Sequence, residues 1–205
     1  IKRTDLKIND TFKKKYSKYG VGELKIDFDK PYIVVLQHPV TTEYQRIKEH
    51  IKETVKALLK IDIQVIWLWP NVDAGSNHVS KTLRRIREIK KPKNIVWQKN
   101  YTPEDYLRLI YNSKCIVGNS SSAIREGSYL GIPAVNIGER QRFRENGSNV
   151  TNVKYNEHQI LKAIKKQLKI KKFRRNNLYG NGNAGKKIVQ ILSTINYDII
   201  KKLNY

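Results

Sequence analysis

The sequence predicts an α/β fold, a doubly wound, Rossmann-like parallel sheet covered by helices on both faces. Three observations predict it. Short apolar runs recur through the middle of the chain. Segments with the 3.6-residue apolar period of amphipathic helices separate those runs. The residues just after each run are small, polar or hydroxylated, and doubly wound sheets bind ligands at that end of their strands. Strands covered on both faces read as near-continuous apolar runs, and their alternation with helices points to parallel pairing.

Each element follows in order. Residues 33–37 read as a first buried strand, and 43–60 as a helix with Ile47, Ile51, Val55 and Leu58 on one face. Residues 64–69 form a second strand, and 77–90 a helix with Val79, Leu83 and Ile86 inward. Residues 94–99 form a third strand. The helix over 102–113 opens with Thr102 as N-cap and Pro103 at the first helical position. Residues 115–118 read as a fourth strand, 122–130 as a short helix, 134–137 as a fifth strand and 150–153 as a sixth. Amphipathic helices over 156–169 and 186–203 close the pattern. Residues 1–30 are polar and mixed and read as a lead-in segment; residues 31–205 make the domain.

Composition narrows the class. A chain of 205 residues, 39% hydrophobic, suffices for one domain with its own core. The single cysteine, Cys115, permits no internal disulfide and favours a reducing compartment, hence the cytoplasm. The longest apolar stretch, 61–69, contains Asp62 and Gln64 and is too short for a bilayer, so no membrane role is expected. Methionine is absent, which reads as a piece cut from a longer protein. The net charge of +23 admits a phosphate-rich partner. Its basic runs, 13–15, 90–93 and 169–175, lie far apart and lack interleaved aromatics, so nucleic acid is not the favoured partner. Abundant Lys, Ile, Asn and Tyr fit a solvated, lysine-biased surface equally well.

The chemistry-bearing residues lie after the strands. In Gly118-Asn119-Ser120-Ser121-Ser122-Ala123-Ile124-Arg125-Glu126-Gly127, three hydroxyls lead into a helix start, where unpaired N–H groups welcome an anion. A helix begun at Ser122 would carry Glu126 on the same face, where its carboxylate accepts from ribose hydroxyls. Plain serine capping is the alternative, although a capping box would need an acid at Arg125. His38 either sits on the surface in a turn or holds a phosphate and passes a proton. The histidines lack metal-type spacing, so neither a metal nor another cofactor is expected. Residues 180–185 match G-x-G-x-x-G, yet no strand leads into them, so they read as a turn into the last helix. Cys115, Trp67, Trp69 and Trp97 read as core, while Tyr101 is placed to touch a base.

Together the segments 37–43 (QHPVTTE), 70–76 (PNVDAGS), 118–126 (GNSSSAIRE) and 132–144 (IPAVNIGERQRFR) resemble the UDP-N-acetylglucosamine 2-epimerase family. The resemblance runs from about residue 31 to 200. It implies the C-terminal half of a GT-B fold, with paired Rossmann-like halves. It places UDP contacts on His38, Asn71, Ser120, Ser121, Ser122, Glu126 and Arg140, and uracil at Lys99, Asn100 and Tyr101. It makes His38 catalytic and UDP-N-acetylhexosamine the substrate. QHPVTT resembles the hydrolysing branch, which releases UDP and N-acetylmannosamine or a related sugar. The family's acid and base carboxylates lie in the N-terminal half, so residues 1–205 alone would bind UDP weakly and catalyse little; a homo-oligomer stays open. Ala123 and Phe143 depart from the glycine and the smaller residue usual there. The rival readings are a GT-B glycosyltransferase nucleotide domain and a basic nucleic-acid-binding module.

Overall fold

A computed structural model describes residues 3–21, 24–70 and 74–196. Its strands are β1 (Tyr32–Leu36), β2 (Gln64–Leu68), β3 (Ile95–Gln98), β4 (Ile116–Gly118), β5 (Ala134–Ile137) and β6 (Val150–Val153). All neighbours pair parallel in the order β3-β2-β1-β4-β5-β6. The helices are α1 (Asp10–Tyr16), α2 (Ile47–Leu58), α3 (Ser76–Lys90), α4 (Pro103–Asn112), α5 (Glu126–Leu130), α6 (Glu157–Leu168) and α7 (Ala184–Thr194). The doubly wound expectation holds.

The period of two along each strand divides the core into two. Ile33, Val35, Val65, Trp67, Val117 and Ile137 face one side, with α2, α3 and α6 packed over them. Tyr32, Val34, Ile66, Leu68 and Ala134 face the other, beneath α1 and α4. The predicted inward faces hold, since Ile47, Ile51, Val55, Leu58, Val79 and Leu83 are all buried. Trp67, Trp97 and Cys115 are core, and burial pushes the Cys115 thiol up.

Several boundaries differ for local reasons. The helix expected over 43–60 begins as a 3-10 turn, Thr41–Arg46, with Glu43 out of helical geometry (φ −118°). The last helix is α7, and the rest of the expected 186–203 span runs partly outside the described residues. Gly180 and Gly182 turn with positive φ and open space around them, matching the turn reading.

The segment read as a lead-in packs onto the sheet. Asn9 caps α1 by accepting from the Phe12 N–H at 2.9 Å. That helix then inserts Phe12 and Tyr16 into the core. Val21 bridges antiparallel to Trp97.

Asp105, in the first turn of α4, ties this segment down. It accepts from the Tyr16 hydroxyl at 2.7 Å, Lys15 Nζ at 3.1 Å and Arg108 Nη1 at 2.7 Å. Burial alone would raise its pKa; the three donors outweigh it and hold the carboxyl at about 2, against an ordinary 3.8. A depressed carboxylate stabilises the fold above its unfolded pKa and loses that contribution as pH falls through the folded value. Urea unfolding between pH 5 and pH 2 is therefore expected to show a loss of about 1–2 kcal/mol, discounted for solvent screening. Asp105→Asn removes that component of the pH dependence; an unaltered pH profile in the variant would refute the assignment.

Candidate functional site

The strand order reverses between β1 and β4, which opens a crevice beyond their carboxyl ends. Gly118 ends β4 at φ +131°, and a Cβ there would lie 1.9 Å from the Leu36 carbonyl oxygen. Only glycine lets the two strand ends approach so closely.

Asn119 follows, fully buried. Its N–H donates to the Leu36 carbonyl at 3.0 Å. Its side-chain Oδ1 accepts from the His38 N–H at 2.7 Å, and its Nδ2 donates to the His38 carbonyl at 2.9 Å. The amide thus acts as a ladder partner where the strands have ended. The Asn119 carbonyl accepts from Arg140 Nη1 at 3.2 Å and Gln141 Nε2 at 2.8 Å. One residue therefore locks the loops after β1, β4 and β5, and brings His38, Ser120 and Arg140 together. His38 is buried, so it is not a surface histidine.

The serines do not open one continuous helix. Ser120 accepts from the Ser122 N–H at 3.3 Å and caps a 3-10 turn, Ser121–Ala123. The Ala123 carbonyl accepts from Asn149 Nδ2 at 3.2 Å. The chain re-enters α geometry only at Glu126, for the five residues of α5. Ser122 and Glu126 therefore lie in separate helical segments, although both act on Tyr106. The Ser122 hydroxyl lies 2.5 Å from that of Tyr106. Burial, with the Glu126 charge adding to it, pushes the Tyr106 phenol up. So short a helix carries little macrodipole. The N–H groups of Ser120 and Ser121 lie outside the bonds closing the turn, and Arg140 is exposed.

Tyr155, on the loop after β6, forms the wall behind this junction. Its ring stacks on His50 with centroids 3.7 Å apart and planes within 3°. Gly138 (φ +77°) lies against it so closely that a Cβ would sit 2.3 Å from the ring. Burial pushes the phenol up to about 12, although a hydrogen bond with Asn119 works in the opposite direction. Glu43 lies 3.6 Å from His50 Nδ1. Burial raises the Glu43 carboxyl and lowers the His50 imidazole, moving both toward neutrality.

Lys99 and Asn100 are exposed beyond β3, on the same rim, two strands and roughly 10 Å from β1. The Asn100 carbonyl accepts from the Tyr19 hydroxyl at 2.8 Å. The Tyr101 ring, expected to touch a base, stacks on Tyr16 with centroids 4.2 Å apart, and its hydroxyl bonds Gln98. Asn71 lies outside the described residues. Among the described residues no cluster of three or more His, Cys, Asp or Glu could hold a metal, and no helix is long and apolar enough to cross a membrane.

Asn119 and Gln141 were visible in the sequence as rim residues, but their role as clamps was not. Tyr155 carried no signal, because it comes from a distant loop and reaches the junction only through packing.

Comparison with known proteins agrees with this geometry. Residues 5–193 match the family model described as UDP-N-acetylglucosamine 2-epimerase. The chain is 31% identical over 180 residues to the UDP-N,N'-diacetylbacillosamine 2-epimerase (hydrolyzing) of Legionella pneumophila, covering 87% of this chain and 47% of that protein. It is 28% identical over 165 residues to the UDP-N-acetylglucosamine 2-epimerase of Neisseria meningitidis, covering 80% and 43%. The chain thus spans about half the length of these curated relatives. Its fold resembles that of the Methanocaldococcus jannaschii UDP-GlcNAc 2-epimerase solved with UDP-GlcNAc and UDP (TM-score 0.66, 21% identity, 90% of this chain and 49% of that one). The sheet is thus the Rossmann-like half of a GT-B fold. With the family model spanning nearly all of the chain, and the motif loops converging on Asn119, the protein belongs to the UDP-N-acetylglucosamine 2-epimerase family.

Proposed function

We propose that this chain is the UDP-binding, C-terminal half of a hydrolysing UDP-N-acetylglucosamine 2-epimerase. The complete enzyme takes a UDP-N-acetylhexosamine and releases UDP with N-acetylmannosamine or a related sugar. The Asn119 junction carries this reading, because it gathers a buried imidazole, the N–H groups of a serine turn and a guanidinium at the topological switch point.

The diphosphate lies against the Ser120 and Ser121 N–H groups, with Arg140 over its outer oxygens. His38 donates to it and can pass a proton to the departing oxygen. Ser122, held by Tyr106, keeps the turn in shape. Glu126 and Asn71 serve the ribose side, and uracil meets the edge formed by Lys99, Asn100 and Tyr101. In the reaction, loss of the C2 proton and cleavage of the C1–O bond release UDP and leave a glycal, to which water adds. Charge grows on the leaving diphosphate, and donors already aimed at it lower the barrier by the part of their interaction that grows. Each charge-assisted contact contributes about 1.5–3 kcal/mol. The acid and base carboxylates belong to the N-terminal half, the partner from which residues 1–30 lead in. A lone, buried thiol suits work in the reducing cytoplasm.

Calorimetry on this chain tests the reading. UDP is expected to bind saturably, with UMP and ADP each weaker by about tenfold or more, equivalent to about 1.4 kcal/mol. Arg140→Ala is expected to weaken UDP by a similar factor while leaving the fold intact. Equal affinity for UDP, UMP and ADP, or none for UDP, would remove the proposal.

A further inference from the structure

The rim opposite the proposed UDP site gathers charge of one sign. Lys30, Asp62, Lys93 and Lys114 each stand two residues before the first residue of β1, β2, β3 and β4. Parallel pairing brings these positions to one edge, at the amino ends of the strands. They line a cavity of about 560 Å³, a size within the range of small-molecule sites. A second cavity, of about 420 Å³, shares Lys30 and Lys114 and adds Lys7 and Lys13.

Few carboxylates oppose this charge. Asp29 is taken by Lys13 at 2.5 Å and Asp27 by Lys30 at 3.5 Å. Asp62 is the one described carboxylate on the wall of the larger cavity. Among the described residues, Lys7, Lys93 and Lys114 have no carboxylate partner. The crowding has a consequence at Lys172. Its Nζ lies over the Tyr111 ring and donates to the Tyr111 carbonyl at 2.5 Å. That carbonyl belongs to the last turn of α4, where a cation is ordinarily favoured. Desolvation, with the nearby Lys114 charge adding to it, nevertheless pushes the Lys172 ammonium down to about 8. Like charges stand together here, and the chain's own carboxylates do not offset their repulsion.

We propose that this rim is a second anion site, in which Lys30, Lys93 and Lys114 hold a small polyanion with adjacent phosphate groups. Ammonium groups on flexible stems bind phosphate as point charges and need no fixed fork geometry. A pyrophosphate group offers several charges within the span of one cavity, so it can meet more than one lysine at once. Asp62 opposes the anion, and the three ammonium groups outweigh it. The site lies a strand's length, roughly 15 Å, from the Asn119 junction. It shares no residue with the proposed UDP site and does not rest on that reading.

The test titrates inorganic pyrophosphate by calorimetry into the 205-residue chain, Lys93→Gln/Lys114→Gln, Arg140→Ala and Lys48→Gln/Lys52→Gln. The last variant removes the same charge from exposed positions on α2. The natural chain, the Arg140 variant and the α2 variant are expected to keep a pyrophosphate site of equal affinity, within about twofold. Lys93→Gln/Lys114→Gln is expected to weaken it by about tenfold or more, since each unit charge at contact in water is worth about fivefold. Neither lysine has an ion pair to lose, so the Tm is expected to stay within about 2 °C. Lys172 supplies a local readout, because a bound anion favours its charged form. Its acetylation by limiting acetic anhydride, followed by mass spectrometry, is expected to slow about threefold or more with pyrophosphate in the natural chain. No slowing is expected in Lys93→Gln/Lys114→Gln. Equal losses in the rim and α2 variants, or a loss in Arg140→Ala alone, would overturn the proposal. So would a failure of pyrophosphate to saturate, including the case in which single-stranded DNA binds instead and marks a nucleic-acid surface.

Discussion

Gly118→Ala is expected to destabilise the protein by about 4 kcal/mol or more, enough to deplete the soluble folded chain. The added Cβ would lie 1.9 Å from the Leu36 oxygen and 2.5 Å from its carbonyl carbon. Neither strand can yield cheaply. Leu36 is in register with Gly118, and its carbonyl accepts from the Asn119 N–H. The φ of +131° adds strain for any residue with a Cβ. Gly185→Ala is the control: nothing lies within 4 Å of its Cβ position, and it sits in α7. That change is expected to be neutral or to stabilise by about 0.5–1 kcal/mol. Urea unfolding measures both variants, and a natural midpoint for Gly118→Ala would show that the strand ends do not meet as described.

Asn119→Ala is expected to cost roughly 2–5 kcal/mol of stability, because it removes the two hydrogen bonds that the Asn119 amide makes to the His38 backbone in a buried setting. It is also expected to weaken UDP by more than tenfold, since the loop bearing His38 loses its tie to the residue whose backbone carbonyl holds Arg140. Asn119→Asp tests the site by charge. An aspartate keeps the acceptor for the His38 N–H, but it loses the donor to the His38 carbonyl and buries a charge against it, so the stability loss is at least that of the alanine variant. It also sets a carboxylate beside the proposed diphosphate, so the loss of UDP affinity exceeds that of the alanine variant. Calorimetry on folded Asn119→Asp decides the matter. UDP affinity equal to that of the natural chain would detach Asn119 from the site.

Much of the sheet was legible because its signals are local. Runs such as Ile33-Val34-Val35 and Val65-Ile66-Trp67 are buried on both faces and therefore apolar without interruption. Thr102 and Pro103 mark the start of α4 by cap chemistry alone, with Thr102 Oγ1 accepting from the Asp105 N–H at 3.3 Å. The loops after β1, β4 and β5 could be gathered as a rim because strand direction in a parallel sheet places them there. The break after Ala123, where Asn149 from another loop bonds the Ala123 carbonyl, was not legible. Nothing near Tyr101 in sequence reveals that Tyr16 stacks against its ring. Phe12 and Tyr16 looked like part of a polar lead-in, as two aromatics among lysines do not declare a core.

By itself the sequence determined the order and type of the elements, and the rim of the sheet at which a serine turn, a histidine and an arginine would be found. Periodicity, capping and strand polarity are properties of neighbours along the chain. Only the tertiary structure decided which N–H groups the serine turn leaves outside its own bonds, which hydroxyls are already engaged, and that one asparagine holds three loops in place. Those outcomes depend on which distant group occupies each hydrogen bond and each ring face, and sequence spacing does not encode that competition.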